Sequence, residues 1–133
     1  MTLKKIIPLL IIAVLAVISC NETGIISNRD IEFPEENVSF MNHVQPFLKL
    51  TCSYQGCHSY ESRAGGRIMV DYWNLFDVYN TGLIVPYKPN NSILYQMIRD
   101  TNRLPHFPIV YWKINQNQKQ GIKTWIEEGA MDN

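Results

Sequence analysis

The sequence predicts a small all-α domain with long loops, and three observations carry that expectation. Apolar residues recur at helical offsets in three places, each behind a residue suited to capping a helix. Prolines and glycines fill the stretches between them. At 133 residues, with no internal repeat, the chain has room for one core.

The first helix is expected after the N-cap candidate Ser39, with Phe40, Val44, Phe47, Leu48 and Leu50 apolar; Pro46 demands a late start or a kink. Ala64-Gly65-Gly66 reads as a turn, where the glycines permit positive backbone torsions or a close chain approach. A short apolar stretch and a loop ending at Pro86 to Pro89 follow. Ser92 is suited to cap a helix through Arg99, with Ile93, Leu94, Met97 and Ile98 at helical offsets. Leu104 to Pro108, with two prolines, cannot be helix interior. Asn115 caps a last helix that turns Ile122, Trp125 and Ile126 inward and closes at Gly129. Trp125 and Ile126 are expected in the core, packed on the first helix and walling a pocket.

The start of the chain has a different character. Lys4 and Lys5 precede an uncharged, mostly apolar run from Ile6 to Ser19, the layout of an export signal. Crossing a bilayer needs about 20 apolar residues, more than this run supplies. It ends in Val17-Ile18-Ser19-Cys20, which resembles the lipobox of bacterial lipoproteins. The resemblance implies that residues 1–19 are removed, that Cys20 is lipidated, and that the protein is held at a membrane surface of the bacterial cell envelope without crossing it. A cleaved signal ending at an unmodified cysteine is the alternative.

Residues 20–37, polar and irregular with acids at Glu22, Asp30, Glu32, Glu35 and Glu36, read as a flexible tether, which leaves 38–133 as the domain. Removing residues 1–19 takes away Lys4 and Lys5 and no acid, leaving 10 bases against 12 acids. That balance carries no nucleic-acid footprint. A domain this small buries a thin core, so a large apolar cofactor would serve as part of it.

Cys52-Ser53-Tyr54-Gln55-Gly56-Cys57-His58 sets two thiols close together with a histidine directly after the second. A haem carries two vinyl groups for two thioether bonds, and the adjacent histidine then reaches the iron. The usual spacing is C-x-x-C-H; here two further residues intervene, and Tyr54, Gln55 and Gly56 can bulge outward while the sulfurs hold their places. A Cys52–Cys57 disulfide with a surface His58 fits the same heptapeptide. A zinc site fits less well, because zinc wants four ligands and only two thiols remain once Cys20 is lipidated.

From Val44 to Ala130 the chain resembles the small c-type cytochrome domains of planctomycetes and other bacteria. The matching pieces, in order, are Val44-Gln45-Pro46-Phe47-Leu48, Cys57-His58, Gly65-Gly66-Arg67, Ile84-Val85-Pro86, Pro89-Asn90-Asn91-Ser92-Ile93-Leu94 and Trp125-Ile126-Glu127-Glu128-Gly129-Ala130. The resemblance implies a cytochrome c-like fold and one covalent haem c, with thioether bonds at Cys52 and Cys57 and His58 as proximal iron ligand. It further implies an electron carrier serving a redox protein partner, not an enzyme.

One position departs from that pattern. Such domains place a methionine before a proline as the sixth iron ligand, and here Leu104 precedes Pro105. Leucine has no donor atom. His106 as distal ligand, Met97 or Met69 moving in, or an open site are the readings that remain; core packing is the plainer role for Met97, and a surface or supporting role for His43. A haem-free binding or structural lipoprotein stapled by a disulfide, and a haem sensor that binds small ligands at an open sixth site, are the alternative functions.

Overall fold

Ser39 and Pro46 together decide how the first helix begins. Ser39 is extended, and its hydroxyl accepts from Asn42 N at 3.2 Å. Pro46 has no N–H to give to the carbonyl one turn back. The chain therefore opens with a wide π turn, Phe40–Val44, with Val44 N bonding back to Ser39 O at 3.3 Å. The regular helix α1 starts only at Gln45 and runs to Thr51, with proline in its first turn, where a missing N–H costs nothing. Its buried residues are Phe47, Leu48 and Thr51.

This computed structural model describes residues 30–54, 56–99 and 114–133, which are helical with no strand among them. After α1 come a turn at Ala64–Gly66, the one-turn helix α2 (Tyr72–Leu75), turns at Val78–Asn80 and Pro89–Asn91, and helices α3 (Ile93–Arg99) and α4 (Gln116–Glu127). The expected turn at Gly65 and Gly66 uses positive torsions, φ 60° and 75°, with open space where a Cβ would stand. The glycines serve the turn itself, not a close approach. Helix α2 goes beyond the expected short apolar stretch: Asp71 and Asn74 form a reciprocal capping box around it.

Ser92 precedes α3 as expected, but its hydroxyl ties down the loop before it. Val85 N donates to Ser92 Oγ at 2.8 Å, and Ser92 Oγ lies 3.1 Å from Lys88 O. Helix α4 is capped as its sequence predicts, by Asn115 Oδ1 accepting from Gln118 N at 2.9 Å and by Gln118 Oε1 accepting from Asn115 N at 3.2 Å. Removing half of this box with Asn115→Ala is expected to lower unfolding free energy by about 1 kcal/mol, read as a shifted urea midpoint at constant slope. Ile122, Trp125 and Ile126 are all buried. Trp125 packs on Phe40, ring centroids 5.8 Å apart, and its Nε1 donates to Met131 O at 3.1 Å.

The packed domain begins before Val38. Ile31 and Phe33 are buried in the core, Gln118 Nε2 donates to Ile31 O at 3.1 Å, and Asn117 and Phe33 exchange hydrogen bonds at 2.8 and 2.9 Å. Asn37 N and Val38 N both donate to the Glu128 carboxylate, at 2.6 and 2.9 Å. Residues 31–37 are thus part of the folded unit and not of the tether drawn over 20–37. The reason is Ile31 and Phe33, apolar on either side of Glu32, which find a face of α4 to cover. Ser39 and Phe40 are in turn fastened to Asn133, through Ser39 Oγ to Asn133 O at 2.7 Å and Phe40 N to Asn133 Oδ1 at 2.9 Å.

Candidate functional site

Cys52 stands at the C-terminal end of α1, its N–H bonded to Leu48 O at 2.8 Å, so the helix carries the first thiol to a fixed place. Beyond it the chain makes a closed loop. Cys57 N donates to Tyr54 O at 2.9 Å, and His58 N donates back to Cys52 O at 3.0 Å. Within this loop Tyr54 is exposed and Gly56 has φ 86°, while Gln55 lies outside the described residues. Tyr54 and Gly56 lie at the surface, and the bond from His58 to Cys52 brings the two ends of the heptapeptide together.

The thiols differ in setting. Cys52 is half-buried against the core, with Thr51 Oγ1 at 3.4 Å from its sulfur. Burial pushes its thiol up from 9.0 to about 11; the Thr51 hydroxyl partly offsets this and the neighbouring Cys57 adds to it. Cys52 is therefore a protonated, slow nucleophile at neutral pH. Cys57 is half-buried as well, and both are thiols, not a disulfide.

His58 is buried at 8% exposure, and its Nδ1 is closed off from solvent. It forms one wall of a cavity of about 280 Å³ together with Ala64, Gly65, Arg67, Met69, Ile93 and Met97. The lining is apolar apart from His58 and Arg67. Local bonding fixes the wall: Met69 N donates to His58 O at 2.9 Å, Ala64 N donates to Cys57 O at 3.1 Å, and Ser53 Oγ donates to Met69 O. The segment from Cys57 to Met69 thereby folds into a loop whose two ends are joined, and the side chains it turns inward all reach one space.

Helix α3 completes that space. Leu94 and Ile98 face the core, at 0% and 4% exposure, while Ile93 and Met97 are half-buried and line the cavity. Met97 packs against the core, as its helical offset suggested, and lines the cavity as well. Met69, at 1% exposure, does both. Trp125 and Ile126 go the other way. Both are core, and neither is among the residues lining this cavity.

His43 is away from the cavity; its Nδ1 accepts from Ser39 N at 3.0 Å and its ring sits 5.9 Å from Phe33. Cys20, Leu104 and His106 lie outside the described residues. Among the described residues no group of three or more His, Cys, Asp and Glu side chains could hold a metal ion by itself, and no helix is long and apolar enough to cross a membrane. The structure closes Cys52, Cys57 and His58 in one loop, and His58, but neither thiol, lines the cavity along with Met69 and Met97. Arg67 and Ile93 were not anticipated as neighbours of the histidine; the Gly65-Gly66-Arg67 string was the available signal for the first.

Such an arrangement can do three things chemically: offer two thiols for covalent attachment, offer a shielded imidazole nitrogen with thioether sulfurs as soft donors, and offer one guanidinium to an anionic group. No protein-family model, no curated protein and no solved structure matches this chain.

Proposed function

We propose that this chain is a membrane-tethered, cytochrome c-like electron carrier that holds one covalent haem c and exchanges electrons with a redox protein partner. The observation that carries the reading is the buried His58 facing an apolar cavity, directly after a loop that ends in two thiols. Neutral imidazole and thioether sulfur are both haem-iron donors, and an apolar wall is what a porphyrin face requires, so the residues fit the group. Haem would supply a reversible one-electron couple.

The chain's own residues have separable tasks. Cys52 and Cys57 would hold the haem by thioether bonds, each the net addition of S–H across one vinyl double bond with no change of oxidation state. Keeping Cys52 protonated until then holds it back from disulfide exchange. His58, fixed between Cys52 O and Met69 N by its own backbone, would hold the iron through its imidazole. Arg67, in the lining of the cavity, would offer its guanidinium to a propionate. A porphyrin is larger than a cavity of about 280 Å³, so one held there would extend beyond it. Lipid at Cys20 would keep the domain at the envelope membrane, within reach of a partner.

The test is covalent haem. The full chain, produced with a haem-attachment system and solubilised in detergent, is expected to give a haem-staining band that survives denaturing electrophoresis, and Cys52→Ser with Cys57→Ser to abolish it. Absence of the band under conditions that mature a control cytochrome would leave a haem-free lipoprotein as the reading.

A further inference from the structure

We propose that the exposed aromatic face of residues 73–79 docks on a lipid bilayer; the proposal rests on the membrane tether of the function proposed above and not on haem. Four large apolar side chains of this short stretch stand in solvent: Trp73 at 75% exposure, Phe76 at 38%, Val78 at 79% and Tyr79 at 73%. The buried residues of α2 and of the turn after it are Leu75 and Asn80. A segment serving only the core would turn the asparagine out and the tryptophan in. Here the polar side chain holds the backbone and the aromatic ones are presented.

The face is held firmly. Asp71 and Asn74 close α2 at its start with their capping box, and the Tyr72 ring is flanked by Trp73 and Phe76, centroids 5.2 and 4.9 Å away. Asn80 Nδ2 donates to Asn74 O at 2.6 Å and to Ile68 O at 2.9 Å, which folds the Val78–Asn80 turn back onto α2. Thr81 Oγ1 donates to Val78 O at 2.9 Å and closes that turn. The four exposed side chains therefore share one fixed piece of backbone.

Charge narrows the occupant. Between Tyr72 and Thr81 the only charged side chain is Asp77, which accepts from Tyr79 N at 3.4 Å. Asp71, just before, accepts from Gln45 Nε2 at 2.9 Å and from the Tyr60 hydroxyl. With no cation in the stretch, an acidic partner or an anionic headgroup has nothing there to pair with. A surface that takes up apolar side chains without charge, and suits tryptophan and tyrosine at its boundary, is a bilayer interface.

The anchor brings such a surface within reach. Cys20, where the lipid would sit, lies ten residues before Asp30, the first described residue. Ten residues span at most ~36 Å, against roughly 30 Å for the diameter of a small domain. The anchor can therefore reach round to any face, and the domain stays within that distance of the bilayer. At so high an effective concentration, shallow insertion of a few rings is enough to select one face.

The experiment uses the full chain in neutral phosphatidylcholine vesicles doped with a phosphatidylcholine that carries a diazirine on its acyl chain. After photolysis, peptide mass spectrometry is expected to find lipid on Cys20 and photoadducts concentrated on residues 73–79. Salt at about 1 M should not remove them, because insertion is apolar while charge attraction is screened beyond about 3 Å. Trp73→Ser with Tyr79→Ser should lose the adducts on Phe76 and Val78. Both replaced side chains are mostly in solvent, so an unchanged thermal midpoint separates this loss from misfolding. In a chain that carries lipid at Cys20, adducts missing from 73–79 or spread evenly over the exposed surface overturn the docking face and leave the tether standing. Adducts that vanish at high salt overturn apolar insertion. Dimers that form in detergent and disappear in the double variant give the face to a second copy of the chain and overturn the bilayer. Absence of lipid at Cys20 removes tether and docking together.

Discussion

In the haem-free, reduced chain, Cys52 is expected to react with iodoacetamide at about pH 8 roughly 100-fold more slowly than the same cysteine in the unfolded chain. The thiolate is the nucleophile, and a thiol raised from 9.0 to about 11 has that much less of it. The ratio should shrink as the pH climbs toward 11. Site-resolved labelling by mass spectrometry reads it directly. A ratio near unity at about pH 8 would mean that the end of α1 does not shield the sulfur, and the fixed position argued for the first thiol would go with it.

The same shift has a stability consequence of definite sign. The folded chain holds the Cys52 proton more tightly than the unfolded chain does, so the unfolded chain loses it first as pH rises. The contribution is fully present below about 9 and disappears as the pH passes through about 11. Two units correspond to roughly 2–3 kcal/mol. Tyr72, also raised by burial and by Asp132, titrates in the same alkaline direction. The measurement is therefore the difference in alkaline slope between the parent chain and Cys52→Ala, followed by urea unfolding across that window. Equal slopes would remove the burial of Cys52 as a cause.

Legibility in the sequence followed the range of the interactions. Helix α4 was readable because its signals are local: Asn115 and Gln118 satisfy each other, and Ile122, Trp125 and Ile126 fall on one stripe. The wide turn before α1 was half readable, since Pro46 forbids a regular start without saying which irregular one replaces it. Helix α2 was missed because one turn is too short for periodicity, although Asp71 and Asn74 held the capping pattern. In the site, the heptapeptide and the glycine turn were local and legible. Which stripe of α3 faces the cavity was not. Ile93 and Met97 have the same offset as Leu94 and Ile98, and only the packing of Leu94 and Ile98 into the core turns the first pair toward His58. For Trp125 the same limit holds: an apolar stripe says that a face is covered, not by what.

Residues 31–37 show the effect most sharply, and a double substitution tests it. A Cβ at Gly121, in the middle of α4, would stand 2.1 Å from Phe33 Cγ. Gly121 is the slot that Phe33 fills, which is why a helix tolerates glycine there. In the parent chain Gly121→Ala must push out a ring that is 5% exposed, and the lost burial and overpacking, about 3 kcal/mol together, outweigh the gain of about 0.8–1.0 kcal/mol in helix propensity. The net expectation is a loss of roughly 2 kcal/mol in urea unfolding. Phe33→Ala alone should cost about 3 kcal/mol. Once the ring is gone the slot is empty, so Gly121→Ala should stabilise the Phe33→Ala chain by somewhat under about 1 kcal/mol. The sign of one substitution thus reverses with the state of the other, a coupling of roughly 3 kcal/mol, at the upper end for residues in contact. If residues 31–37 were a tether, Gly121→Ala would stabilise both backgrounds equally and Phe33→Ala would cost almost nothing. A parent chain strengthened by Gly121→Ala would return the domain boundary to Val38.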